Sequence, residues 1–231
     1  MRNQTVIRTL IREMLNEVMR TPFTDTLPGI RIDVETKKPD EISILLSKEE
    51  YNEFALKDIR NTVGTLVAKK KPRTDKAPCL DAWEISWAHA KAAPGWGPFL
   101  YHLMLQIADM RDGNGVMADR KEVSEDALGV WKKFNEIAGN GASGIEKLQL
   151  DDYSNTLTRT FEDNCSQFSN KYHFEEPRVY DDREGRTKWL LDSPITKVYK
   201  RKPGARDWRA ELIELGIYYE NGMQVSPRDA E

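Results

Sequence analysis

A strand, a glycine-containing loop and a helix follow one another between residues 80 and 110, and this succession constrains the fold more than any other sequence feature. The segment Leu80–Ala90 predicts a strand, and Gly95 and Gly97 mark the loop after it. Apolar residues spaced three and four positions apart then predict a helix over 99–110. A strand that leads through a short loop into a helix is typical of α/β folds.

The segments on either side extend this pattern. Further strands are predicted at 30–35, 42–46, 63–68, 116–118 and 195–199, and further helices at 47–59, 124–138 and 207–215. We expect one α/β domain over 23–231, built on a mixed, mostly antiparallel sheet flanked by helices. Periodicity is weak from about 139 to 190, which predicts an irregular insertion there.

The first 22 residues are predicted to form an N-terminal amphipathic helix that precedes this domain. Apolar residues recur at helical spacing over residues 5–20, and Pro22 ends the pattern. The apolar stripe of such a helix packs either on the domain that follows or on a partner. Both interpretations remain open from the sequence.

The composition excludes several classes of function. The net charge of −3 and the pI of about 5.8 disfavour a nucleic-acid-binding protein and attraction to an anionic membrane. No run of apolar residues approaches the roughly 20 that a membrane span requires. Two cysteines and three histidines form neither a disulfide framework nor a metal-ligand pattern. We therefore expect a cytoplasmic protein that binds no metal.

The loop Gly95-Trp96-Gly97-Pro98 is the strongest candidate for a ligand site. Glycines let a backbone approach a ligand closely, and a helix that begins after them adds unpaired N–H donors and a partial positive charge. Pro98 suits the first helical turn, where its missing N–H costs nothing. Such a loop end suits a pyrophosphate, although glycines at this kind of junction also serve helix–strand packing alone.

The order of elements from about residue 79 to 138 resembles the acyl-CoA-binding core of the GNAT N-acyltransferases. In that family a strand leads into a Q/R-x-x-G-x-G/A loop and a helix, followed by a short strand, a Ser- or Asn-capped helix and a last strand. The segment 117–131 is similar to GNAT-like proteins of tailed-phage genomes. The resemblance implies an acyl-CoA N-acyltransferase fold and transfer of an acyl group from acetyl-CoA, or another acyl-CoA, to an unknown amine. It assigns donor binding to Trp87, Gly95, Trp96, Gly97 and Pro98.

Glu84 is the candidate general base, because GNAT bases are often carboxylates on this strand. We expect its side chain to share a face with Ser86. The family's Gln or Arg falls at Ala92, whose methyl group cannot replace their polar contact. The tyrosine that often protonates the leaving thiolate falls at Trp131, whose indole is no practical acid. These departures leave open a catalytically degenerate GNAT-like protein of the phage virion, or a partner-binding protein, with residues 5–20 contacting a phage structural partner.

Two other functions are weaker alternatives. A cysteine hydrolase would use Cys79 with His89 or His102, but no base is evident beside that thiol in the sequence. A nucleic-acid contact would use a basic cluster near the end of the chain, disfavoured by the acidic net charge: Lys197, Lys200, Arg201, Lys202 and Arg206. We expect location in the host cytoplasm if the protein is phage-encoded, or packaging in the virion.

Overall fold

The structure is a computed structural model. It describes residues 29–52, 57–70, 82–90, 96–119, 123–139, 144–149, 192–205 and 207–229. The predicted leader helix, the loop residues Ala92 and Gly95, and the alternative nucleophile Cys79 lie outside these ranges.

The described residues form a mixed β-sheet flanked by three α-helices. The strands are β1 (Ile30–Glu35), β2 (Glu41–Asn52), β3 (Lys57–Lys70), β4 (Trp83–Ala90), β5 (Val116–Met117), β6 (Ile145–Gln149), β7 (Lys197–Arg201), β8 (Tyr218–Glu220) and β9 (Met223–Gln224). The helices are α1 (Trp96–Arg111), α2 (Glu125–Gly139) and α3 (Trp208–Glu214). Short 3₁₀ helices span Pro194–Thr196 and Pro227–Asp229. The predicted α/β class with a mixed, helix-flanked sheet is confirmed.

The protein forms two compact units, and the first contains the described residues up to Ala68, Trp87–Gln106 and those from 207 onward. Within it, β1 pairs with β2 antiparallel and with β8 in parallel, and β8 pairs with β9 antiparallel. Every second side chain is buried in β1 and over residues 41–46 of β2, because successive side chains of a strand point to opposite faces. These buried residues are Ile30, Ile32, Val34, Ile42, Ile44 and Leu46.

The second unit contains the described residues of Lys69–Ser86 and Ile107–Ala205. Within it, β5 pairs with β4 in parallel and with β7 antiparallel, and β7 also pairs antiparallel with β6. Helix α2 covers β7 with two aromatic side chains. Trp131 stacks on Tyr199 at 5.4 Å between ring centroids, and Phe134 meets the same ring at 5.6 Å.

The helix predicted from Ser47 is wrong. Strand β2 continues to Asn52, and β3 begins at Lys57. Ser47 and Lys48 pair with Arg31 and Ile30 of β1. Ser47 and Glu50 resemble the start of a helix, but the pairing of β2 with β1 outweighs this local preference. Tertiary pairing routinely overrides weak local propensity.

Two other predicted boundaries differ from the structure, and a third agrees with it. Helix α1 begins at Trp96, so Trp96 and Gly97 belong to its first turn rather than to the preceding loop, and Pro98 lies in the first turn as predicted. Strand β6 lies inside the segment predicted as irregular, whose residues 150–191 are outside the described ranges. Helix α3 lies where predicted, with the Asp207 side chain accepting a hydrogen bond from the Ala210 N–H at 3.0 Å.

Candidate functional site

The start of β4 is held in place by contacts of Trp83 within the second unit. Its backbone N–H donates to the Gly115 carbonyl at 2.9 Å. Its indole N–H donates to Asp112 Oδ1 at 3.3 Å, and the other oxygen of Asp112 accepts from Lys70 Nζ at 2.7 Å. These contacts fix the residue immediately before Glu84, and so fix the origin of the Glu84 side chain.

The parallel ladder between β4 and β5 consists of two residue pairs. Trp83 is opposite Val116, and Glu84 is opposite Met117. Strand β5 ends at Met117, whereas β4 continues to Ala90. Glu84 is therefore the last residue of β4 that β5 pairs with.

Glu84 is only 4% exposed. It shares a sheet row with Met117 and Val198, because paired residues of neighbouring strands project from the same face. Both of these neighbours are buried and apolar. Trp83 and Ile85 on the opposite face are buried as well, so both faces of β4 are covered here, which the sequence did not predict. The arrangement holds the Glu84 side chain inside a largely apolar layer.

Trp87 lies on the part of β4 that belongs to the first unit. It is 62% exposed, and Ala88 and His89 beside it are exposed too. The indole is therefore open to a ligand on the surface of that unit.

The three described residues of the predicted phosphate loop occupy different environments in the first turn of α1. Trp96 is 1% exposed and meets the ring of Phe99 edge-on at 5.6 Å, so its indole contributes to packing. A Cβ added to Gly97 would meet no atom within 4 Å, so space adjoins this backbone. Pro98 is partly exposed, and the first turn carries no acidic residue. An anion can approach the helix here without meeting a like charge from that turn.

Trp131, at the position that the resemblance assigns to a tyrosine, stacks on Tyr199. The hydroxyl of its stacking partner, Tyr199, donates to the Pro194 carbonyl at 2.7 Å. Burial raises the pKa of Tyr199 well above its ordinary range. The Tyr199 hydroxyl therefore stabilises the 3₁₀ turn before β7 through its hydrogen bond to Pro194. Its raised pKa makes it a poor proton donor. Its contact with α2 was not predicted, although Trp131 was placed on the apolar stripe of that helix.

Two residues of the predicted basic cluster, Lys197 and Arg201, are engaged within the protein, and Arg206 lies outside the described residues. Lys197 is 5% exposed, and its Nζ donates to the Ser193 carbonyl at 2.7 Å. Burial, together with the charge of Lys147, lowers the pKa of Lys197 to about 8. Arg201 pairs with Asp109 at 3.3 Å. Lys197 and Tyr199 lie two positions apart in β7, so their side chains project from the same face of the strand. This alternation would have predicted the burial of Lys197 from the sequence.

His102, a partner of the alternative nucleophile Cys79 in the sequence analysis, lies in α1, and Cys79 lies outside the described residues. Burial lowers the pKa of His102 to about 4, so its imidazole is neutral near physiological pH. Across the described ranges, no three His, Cys, Asp or Glu side chains are grouped as metal ligands would be. None of the helices in those ranges has the length and apolarity of a membrane span.

Comparisons of the sequence with protein-family models and with curated proteins, and of the fold with solved structures, found no match.

Proposed function

We propose that the protein is an acyl-CoA-dependent N-acyltransferase, with acetyl-CoA or another acyl-CoA as donor and an amine of unknown identity as acceptor. One observation carries the proposal: a buried carboxylate, Glu84, stands at the point where the parallel pairing of β4 with β5 stops. A strand that continues past its partner offers backbone N–H and C=O groups along one edge. An extended run of amides, such as the pantetheine arm of coenzyme A, can bind such an edge as an added strand does.

The first turn of α1 supports binding of the donor's pyrophosphate. The first turn of a helix presents backbone N–H groups that make no bond inside the helix, and the helix dipole favours an anion there. Gly97 leaves space for an approaching phosphate, and Pro98 fits this first turn. Gly95 precedes the turn, and the exposed indole of Trp87 offers an apolar surface to the same donor.

Glu84 would act as the general base of direct transfer. Its carboxylate takes a proton from the acceptor ammonium, and the nitrogen lone pair then attacks the thioester carbonyl. A C–N bond forms and the C–S bond breaks; the nitrogen gives up its second surplus proton to solvent as the amide forms, and the thiolate of coenzyme A leaves and takes a proton from solvent. A thiol has a pKa of about 8.5, so its thiolate leaves near neutral pH without a strong acid. Loss of the family's tyrosine at Trp131 therefore slows the reaction less than loss of the base would.

A second candidate is a catalytically degenerate GNAT-like protein of the virion, or one that binds a partner. The observation that favours it is the stack of Trp131 on Tyr199, whose hydroxyl is engaged by a backbone carbonyl. Such a protein would keep the fold without turnover.

Two measurements on the full-length protein separate these functions. Binding of acetyl-CoA to the folded state raises its stability by about 2.7 kcal/mol at 100 times the dissociation constant, so the melting temperature should rise. Release of free thiol from acetyl-CoA with a panel of small amines and peptides then reports transfer. Binding with transfer supports the enzyme, and binding without transfer supports the degenerate protein. No stabilisation by acetyl-CoA, longer acyl-CoAs or coenzyme A itself would exclude the enzyme and leave the non-catalytic virion or partner-binding protein.

A further inference from the structure

Asn221 and Gly222 form the turn that joins β8 to β9 in the first unit. Both have positive φ angles, 51° for Asn221 and 87° for Gly222. Glu220 and Met223 pair on either side, so these two residues are the whole loop. Asn-Gly is the preferred pair for a two-residue hairpin loop, because both of its residues tolerate the left-handed region.

Strand β1 and the residue after it hold Asn221 from both ends. The Asn221 backbone N–H donates to the Val34 carbonyl at 3.0 Å. Oδ1 of the Asn221 amide accepts a hydrogen bond from the Thr36 backbone N–H at 3.0 Å. The amide of this side chain is thus fixed towards β1.

Asp33 and Arg31 hold Gly222. The Gly222 N–H donates to Asp33 Oδ1 at 3.1 Å, and the Gly222 carbonyl accepts from Arg31 at 3.1 Å. Arg31 and Asp33 are themselves paired at 2.7 Å, with side chains that are mostly buried. The guanidinium of Arg31 also lies 3.6 Å from the ring centre of Tyr219. The carboxylate that binds the Gly222 N–H is therefore rigidly placed.

An Asn-Gly pair carries its own reactive chemistry. The glycine nitrogen, on losing its proton, attacks the asparagine Cγ, and a new C–N bond closes a five-membered succinimide. The bond between Cγ and the original amide nitrogen breaks, and that nitrogen leaves as ammonia with the proton. Water then opens the ring to an aspartyl or an isoaspartyl residue. Glycine favours the first step because no Cβ obstructs the attack.

We propose that Asn221–Gly222 is a deamidation site that Asp33 holds unreacted in the folded protein. The Gly222 nitrogen cannot attack while its N–H is donated to Asp33, and the Asn221 amide cannot rotate while it accepts from Thr36. Reaction needs local opening of the turn, which breaks these hydrogen bonds. After deamidation the turn does not close again, because the product adds a carboxylate near Asp33 and Glu220. The isoaspartyl form also adds a backbone atom that a two-residue loop does not accommodate.

The test is deamidation at each Asn-Gly pair, measured by peptide mapping and mass spectrometry after incubation in mildly alkaline buffer. Asp33→Ala should accelerate reaction at Asn221 roughly tenfold, the factor that corresponds to one lost charge-assisted hydrogen bond. Asn114–Gly115 is the internal control, because it is also an Asn-Gly pair and lies in the second unit. Its rate should not change.

Two further comparisons make every outcome decisive. The wild-type rate at Asn221 should be slower in the native protein than in urea, and Asp33→Asn, which keeps an acceptor oxygen, should lie between wild type and Asp33→Ala. Equal rates at Asn221 in wild type and Asp33→Ala would overturn the proposal. So would equal acceleration at Asn114, since that result reports global unfolding rather than release of this turn.

Discussion

Glu84 is the residue on which the proposed chemistry depends. Glu84→Gln keeps the shape of the side chain and removes its basicity, so turnover should fall roughly 100- to 10,000-fold. Affinity for acetyl-CoA, measured from the ligand-induced melting shift, should stay nearly the same. Glu136→Gln is the matched control, because Glu136 lies in the same unit with an exposed side chain paired to Lys133. Turnover of Glu84→Gln equal to wild type would assign the base to another group.

Lys197 links stability to pH. Its pKa is about 8 in the folded protein and about 10.5 when exposed, because burial, reinforced by Lys147, disfavours the charge. Between these two values the unfolded protein binds more protons, so stability should rise with pH across that window. Below it the buried charge costs at most about 3 kcal/mol.

Lys197→Met should abolish that rise. The Ser193 carbonyl would keep a second donor, the Thr196 hydroxyl at 3.0 Å, so the variant does not leave it unsatisfied. Urea unfolding at a series of pH values measures the effect as the difference between variant and wild type. A difference that is constant across the window would show that the ammonium is not desolvated in solution.

At the scale of elements, the first turn of α1 makes donor binding separable from folding. Gly97→Leu adds a side chain whose Cβ would meet no other part of the protein within 4 Å, so it should obstruct a phosphate. Because a side chain before Pro98 disfavours the helical region, the ligand-induced shift is measured from the variant's own ligand-free melting temperature. The stabilisation by acetyl-CoA should disappear. Gly129→Leu in α2 is the matched control, since that position is also helical and open. If both variants kept the full ligand-induced shift, the pyrophosphate would bind elsewhere.

The elements that the sequence predicted well are those with a strong local period. Strand β1 and helices α2 and α3 follow their apolar spacing closely. The predicted strand at 42–46 missed residues 47–52 of β2. The pairing of Ser47 and Lys48 with β1 is a contact with a distant segment, which leaves no local pattern in the sequence. Strands β8 and β9 are too short to show a period and exist through pairing with β1 and with each other. For the candidate site, the position of Glu84 followed from the strand, but its burial on a doubly covered strand depends on packing that no local pattern encodes.

At the scale of the whole molecule, the first unit is assembled from three separate stretches of sequence. A protein truncated after Ala205 would lack β8, and one long edge of β1 would lose its partner. Exposed strand edges promote aggregation, so this truncated protein should lose soluble yield and its cooperative urea transition. A protein truncated after Ser226 retains β8 and β9 and should keep both properties. Normal unfolding of the shorter protein would show that β1 is stable without β8.

The hydrogen bond between Thr36 and Asn221 joins residues 185 positions apart. A ribosome makes roughly 5 to 20 residues per second, so β1 waits on the order of ten seconds or more for β8 to be synthesised. During that interval β1 can pair with β2 along one edge. Its other edge has no β8 to pair with and is protected only by factors that bind nascent polypeptides, such as chaperones. Assembly of this sheet is therefore completed after, and not during, translation of its first strands, and its yield should respond to chaperone supply more than to the speed of local hairpin formation.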